Sequence, residues 1–249
     1  MMKLMYINTQ EWIRLKFFQI ILFIAFIFVC FSYLLGSLSF TEQQRLIVDF
    51  GLAGIELAII FIAAFFSTHS LHRDVERKTI LVLLARPIQR WKILIGYFGS
   101  LAILNLITTI ALGFTLGFFL KETRQIGMFI VALVFIYLKS LIIGGFGLFA
   151  SVVARPMFAF VLSLTYWLVS YSIEDIKFFL KKSQADSGLL NWLLDYLFPQ
   201  FYKYNWKTFS FVKAIPNPND ISWALTHSFF WLLLFLFLST TIFRRKEIV

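Results

Sequence analysis

The residues with chemistry to offer are few, and most lie in one stretch between two long apolar runs. It reads Leu71-His72-Arg73-Asp74-Val75-Glu76-Arg77-Lys78-Thr79 and continues to Leu83-Leu84-Ala85-Arg86-Pro87-Ile88-Gln89-Arg90-Trp91. From 71 to 92 it carries six Lys/Arg and two acids, yet its apolar residues keep helical spacing. Such a helix at a membrane face suits docking to a protein surface. The block Ile80-Leu81-Val82-Leu83-Leu84 needs burial against protein or lipid, which speaks against a merely solvated loop. Asp74 and Lys78 fall at i,i+4, a pair that stabilises a helix by only about 0.3–0.5 kcal/mol, too little to account for so many charges. Arg86 precedes Pro87, and a residue before proline is pushed out of the helical region. One helix is therefore expected to end near Ala85. A second is expected to start at Pro87, a residue suited to the first turn, leaving Arg90 and Trp91 at the membrane surface.

Two further charges stand inside apolar runs, Glu56 and Lys139. A charge at the bilayer centre costs about 2.5–3.5 kcal/mol on insertion scales, so each needs a partner, water or a route to the interface. From the expected starts of their spans, Lys139 lies about 18 Å deep and Glu56 about 9 Å, an offset that a lysine stem can bridge. Pairing that fixes helix packing is one reading. A place for Lys139 on a substrate path, or snorkelling, are the others. His69 and His72 lie three apart, but no acid or cysteine completes a metal set and no His-Glu-x-x-His motif occurs. No metal site is expected. His227 reads as a packed or hydrogen-bonded histidine. The sequence has no Gly-x-Ser-x-Gly elbow and no carboxylate pair spaced for acid–base work, so no catalytic residue is expected. It also has no Gly-x-x-x-x-Gly-Lys-Ser/Thr phosphate loop, so the chain is not expected to bind ATP or Mg itself.

These residues sit in a chain of 249 residues that is 60% hydrophobic and 19% aromatic, with 32 phenylalanines and only 14% charged residues. No soluble domain of that size could hide so much apolar surface, and the apolar runs are too long and continuous for membrane strands. The net charge of +10 comes from basic residues flanking apolar runs, so membrane topology accounts for it and nucleic acid is not an expected partner. The one cysteine, Cys30, lies within the first apolar run and excludes an internal disulfide. No cleavable leader is expected, because the first apolar run follows a polar lead and is long enough to span.

The sequence predicts an all-α polytopic membrane domain over 1–249 with six spans: 17–36, 50–70, 94–120, 127–153, 157–172 and 222–243. Six spans put both termini on one side. With that side cytoplasmic, the cytoplasmic pieces hold thirteen Lys/Arg and the two short outer loops hold three, Arg45, Lys121 and Arg124. The lead from Tyr6 to Lys16, with Trp12 beside Arg14, reads as an interfacial helix. The outer segment 173–221 carries apolar residues at helical spacing in two runs, each too short to span. It is expected to lie on the outer surface or cap the bundle, and to offer a surface to an extracytoplasmic partner. Gly113-Phe114-Thr115-Leu116-Gly117 fits the small-xxx-small pattern, serving either dimerisation or internal packing.

The chain resembles the ABC-2 type permeases, in the branch with the nitrous-oxide-reductase maturation and gliding-motility permeases. The residues that carry the resemblance are Gly51-Leu52-Ala53-Gly54-Ile55-Glu56, Arg73-Asp74-Val75-Glu76-Arg77-Lys78-Thr79-Ile80, Leu83 to Trp91 and Gly96-Tyr97. Phe198-Pro199-Gln200-Phe201-Tyr202-Lys203-Tyr204-Asn205 is similar to the branch's Pro-Asn-aromatic-Phe-Asn stretch. Gln200 stands in place of the usual Asn, and Tyr97 where a Lys commonly follows the Gly. The resemblance implies an exporter subunit in a bacterial or archaeal cytoplasmic membrane. It implies pairing with a second permease, identical or homologous, and a dimer of soluble ATPase subunits that bind ATP and Mg. Arg73, Asp74, Glu76, Arg77, Lys78 and Thr79 would form the coupling helix, with Arg86, Pro87, Arg90 and Trp91 following it at the interface. A membrane anchor or mechanical transmitter driven by the same kind of ATPase is the alternative.

Overall fold

The computed structural model describes residues 2–38, 43–76, 90–120, 123–183, 188–205 and 218–245. Among them the chain forms nine α-helices: α1 (Met2–Arg14), α2 (Lys16–Ser37), α3 (Gln43–Glu76), α4 (Arg90–Gly117), α5 (Thr123–Val153), α6 (Pro156–Tyr171), α7 (Ile173–Lys182), α8 (Gly188–Leu197) and α9 (Pro218–Arg245). A 3₁₀ turn, Phe201–Tyr204, follows α8. Five of these helices are long and apolar enough to cross a membrane. A sixth crossing is reached if α6 and α7, bent by 62° at their junction, count as one span. The helix at the expected fifth span, α6, is followed directly by that bend. Pro156 opens α6 at a first-turn position, after an extended Arg155. At about 1.5 Å per residue its sixteen residues reach only some 24 Å, short of the hydrocarbon thickness.

The helices divide into a centre and a periphery. In α3, 67% of the most apolar window is buried, against 22% in α2 and in α9. Large side chains of α2 such as Ile20, Phe23 and Ile27 therefore face outward, as lipid-facing residues do. Small and hydroxyl residues lie between the helices: Ser67, Thr68, Ser100, Thr108, Ser140, Ser151, Ser163 and Ser239 are all buried. Most of them return their hydroxyl to a carbonyl one turn back, as Ser163 does to Ala159 at 2.7 Å. Such residues let helix backbones approach closely where lipid gives no hydrophobic drive for association. At Gly147 a Cβ would stand 2.0 Å from the Ser67 hydroxyl, so α3 and α5 meet there with no room for a side chain. At Gly113 a Cβ would stand 2.6 Å from Leu133 of α5. Gly113 thus serves packing within the subunit.

One end of the bundle, here called basal, gathers the end of α1, the starts of α2, α4 and α6, and the ends of α3, α5 and α9. Trp12, Phe18, Leu71, Ile93, Tyr97, Val152 and Phe243 form its core. The lead sequence is a helix, α1, packed on α4. Its Trp12 is 1% exposed and lies 5.0 Å from the Phe66 ring, while Tyr6, Ile7 and Ile13 face outward. The opposite, distal end carries α7, α8 and the 3₁₀ turn. Phe201 and Tyr204 are sunk there among Phe135, Phe146, Tyr166 and Trp231.

Candidate functional site

Three helices meet at the charged base. The second predicted span does not stop at Ser70. It continues as helix to Glu76, so the first part of the charged stretch is the end of α3 itself. Arg73 Nη2 donates to Glu11 Oε2 of α1 at 2.9 Å. Its Nε stands 3.8 Å from Asp74 Oδ1. The Tyr97 hydroxyl of α4 donates to Asp74 Oδ2. Glu11–Arg73–Asp74–Tyr97 is thus one polar chain that ties α1, α3 and α4. Ser100 Oγ adds a 3.3 Å bond to the Met5 carbonyl of α1.

This geometry divides the residues expected to dock a partner. The side chains of Arg73 and Asp74 are 21% and 15% exposed and turn inward, onto the bundle. Glu76 is helical in its backbone. Arg77, Lys78, Thr79, Arg86 and Pro87 lie outside the described residues, as does the expected helix end near Ala85. Arg90 opens α4, and Trp91, exposed, is followed by Lys92 with its ammonium 5.5 Å from the indole. Arg73 and Asp74 therefore tie the end of α3 to α1 and α4. Neither Glu11 nor Tyr97 was singled out from the sequence for this role. For Tyr97 a signal existed: a hydroxyl-bearing residue near the start of a span, at the position where the resemblance expects a lysine, so a donor in either case.

Deeper in the bundle, Lys139 of α5 and Glu56 of α3 form an ion pair, Nζ to Oε1 at 2.9 Å, with side chains 1% and 3% exposed. Lys139 does not snorkel. The two helices run in the same direction, so their starts set relative depth. α3 begins at Gln43, seven residues before the expected start, which places Glu56 about 20 Å along its helix and Lys139 about 24 Å along α5. The offset shrinks to about 5 Å, within the reach of a lysine stem. The cause is Arg45 and Asp49, which depress hydropathy there but pair with one another at i,i+4, 3.7 Å apart, and continue the helix. Beside the pair, Asn105 Nδ2 of α4 donates to Ser140 Oγ at 3.1 Å. On its other side the Tyr171 ring lies 5.7 Å from the Lys139 ammonium. Tyr171 is the last residue of α6, so the break between α6 and α7 sits at the level of the ion pair.

The distal end has a second polar knot. Trp231 Nε1 donates to His227 Nε2 at 3.1 Å. An indole nitrogen only donates, so Nε2 accepts and the neutral ring carries its proton on Nδ1. That nitrogen faces the Tyr204 hydroxyl. His227 is thus a hydrogen-bonded histidine that pins the 3₁₀ turn to α9. Tyr204 lies outside the spans, and burial holds its phenol well above the usual range. The stretch around it is fixed from three more directions. Tyr166 Oη donates to the Leu197 carbonyl at 3.0 Å, Gln200 Nε2 to Asp195 at 3.0 Å, and Asn205 Nδ2 to Tyr171 Oη at 3.4 Å. Gln200 therefore supplies a side-chain amide donor where the resemblance expects an Asn.

The arrangement fits a membrane subunit with a buried ion pair at its centre, an aromatic cluster at its distal end and a hydrogen-bonded basal end. No curated protein matches the chain. Residues 47–248 match the family described as ABC-2 family transporter protein, which takes in every span after the first, the charged segment and the distal cap. The chain belongs to the ABC-2 family of transporter membrane proteins, as a multi-pass permease subunit.

Proposed function

We propose that this subunit couples ATP hydrolysis by a separate, soluble ABC ATPase to the export of a substrate. Two permease subunits, identical or homologous, would pair in a bacterial or archaeal cytoplasmic membrane, with a dimer of ATPase subunits below them. The basal end would face the cytoplasm, and ATP and Mg would be held by the ATPase. The observation that carries the reading is the base of α3, a central helix that outruns its apolar span and ends in Arg73, Asp74 and Glu76. Its 34 residues reach about 51 Å, against a hydrocarbon core of about 30 Å. The positive-inside distribution of basic residues supports the same orientation. The branch with nitrous-oxide-reductase maturation and gliding-motility permeases rests on the residues between Arg73 and Gly96.

The mechanism follows from covalent connection. The segment that would contact the ATPase, Glu76 to Trp91, joins α3 directly to α4. Glu11, Arg73, Asp74 and Tyr97 brace both ends of that connection against α1. The Glu56–Lys139 pair then binds α3 to α5. A push on the segment would reach these helices as a unit rather than being lost in a flexible loop. Purification from native membranes in mild detergent tests the reading: an ABC ATPase should accompany the chain. A stable preparation with no ATPase would contradict it.

A further inference from the structure

A groove of about 710 Å³ runs along the outside of the bundle between α4 and α5. It lies within two of the membrane-crossing helices, so lipid is the solvent around it. Leu106 and Tyr137 lie at its deep end, and Phe118 and Ile126 at its mouth, toward the distal end. On either helix that stretch rises about 17 Å. Half of a hydrocarbon core about 30 Å thick is about 15 Å, so the groove is as long as one leaflet is deep. Its rim is built from outward side chains: Phe114 and Phe118 of α4 are 78% and 81% exposed, and Ile130 of α5 is exposed too. Its floor lacks a side chain at Gly117, where a Cβ would meet nothing closer than Phe129 at 3.6 Å.

Among the lining residues only Thr109 and Tyr137 carry a polar side-chain atom. Thr109 Oγ1 donates to the Asn105 carbonyl at 2.6 Å, and Tyr137 Oη to the Ala102 carbonyl at 3.2 Å. Both protons are spent inside the bundle, so the groove offers an occupant no donor and selects by shape. In lipid, apolar surface alone gives no preference, because tails are as apolar as leucine; what remains is close packing. A slim chain in the recess is touched by the floor and both walls, whereas a chain on a convex helix surface is touched from one side. We propose that this groove holds one acyl chain of a phospholipid from the leaflet at the distal end. A helix of a second copy is the poorer fit. With side chains it is about 10–12 Å across, broader than the recess between two helices already in contact at Gly113 and Leu133. The proposal does not depend on the ATPase or on export.

The test uses the full-length purified chain and native mass spectrometry, with dioleoylphosphatidylglycerol and dioleoylphosphatidylcholine as probes. After loosely bound lipid is stripped, the wild type should retain one phospholipid per chain, and the two headgroups should be retained equally. Gly117→Leu, which fills the floor, should lose that lipid. Val134→Trp, which fills the groove from α5, should lose it too and carries the test if Gly117→Leu fails to fold. Ile24→Trp adds bulk on the outward face of α2, away from the groove, and should keep the lipid. A wild type that retains no lipid, or equal retention by the groove variants and Ile24→Trp, would overturn the proposal. Retention of one headgroup only would overturn it as well, since the chains are the same. Loss of self-association with lipid retained in the groove variants would assign the groove to a second copy instead.

Discussion

Lys139 and Glu56 meet at 2.9 Å in the interior of the bundle, each almost wholly buried, and join α5 to α3, two helices that run in the same direction. Parallel neighbours can slip along one another if only smooth apolar surfaces meet. A buried ion pair at that interface favours one register, because a slip pulls two buried charges apart. The same pair explains why neither charge reaches water or the bilayer surface.

Removing one partner should therefore harm the protein more than removing both. Lys139→Met or Glu56→Leu alone is expected to destabilise the subunit by about 3–5 kcal/mol, because the remaining buried charge loses its counter-ion. The double variant Glu56→Leu/Lys139→Met should recover most of that. Thermal unfolding in one detergent would show the single variants melting well below both wild type and double variant. Equal losses in all three would mean that the pair does not act as a unit.

At the base, two bonds should differ in weight. The Glu11 side chain is 52% exposed, so its pair with Arg73 is screened, and Glu11→Gln should change stability by about 0.5 kcal/mol or less. The Tyr97 hydroxyl bonds a largely buried carboxylate, so Tyr97→Phe should cost about 1.5–3 kcal/mol. Unfolding curves of the two variants side by side check the order, and a larger loss from Glu11→Gln would contradict it.

How far these relationships could be read from sequence depends on the range of the signal. Five of the spans were legible because each is a long apolar run, and the helix of the lead was legible because Trp12 and Leu15 are costly to leave in water. The start of α3 was not legible, since Arg45 and Asp49 lower hydropathy at positions that remain helical. That error alone misplaced Glu56 in depth. Bonds such as Arg73 to Glu11 and Tyr204 to His227 join residues far apart in the chain, and periodicity within one element carries no trace of them. Asp74 illustrates the same point. Its i,i+4 spacing points to Lys78, and spacing within the helix could not point to Tyr97 on another helix.

The distal knot predicts a graded response. Tyr204→Phe keeps the buried ring but removes the hydroxyl that faces His227 Nδ1, and should cost about 1–3 kcal/mol. Trp231→Phe removes the donor to Nε2 and also leaves a gap in the aromatic cluster, so its loss should be larger. Melting temperatures of the two variants check this. A neutral Tyr204→Phe would mean that the bond does not hold the turn.

Glycines on the central helices should separate by contact rather than by helix propensity. Gly147→Ala places a methyl 2.0 Å from Ser67 Oγ and should destabilise by about 1–3 kcal/mol through overpacking. At Gly117 the nearest atom is 3.6 Å away, so alanine there should be neutral or gain up to about 1 kcal/mol of helix propensity. Paired unfolding measurements decide it, and similar effects at both sites would contradict the close approach at Gly147.

The central claim is that the segment leaving the base of α3 receives an ATPase. The most direct measurement compares three forms of the chain in a mild-detergent pull-down with partners identified by mass: wild type, Glu76→Ala/Arg77→Ala at the base, and Lys181→Ala/Lys182→Ala at the distal end. An ABC ATPase recovered with wild type and the distal variant, but lost with the basal variant, is the predicted result. Equal recovery with all three, or loss only with the distal variant, would contradict docking at the base.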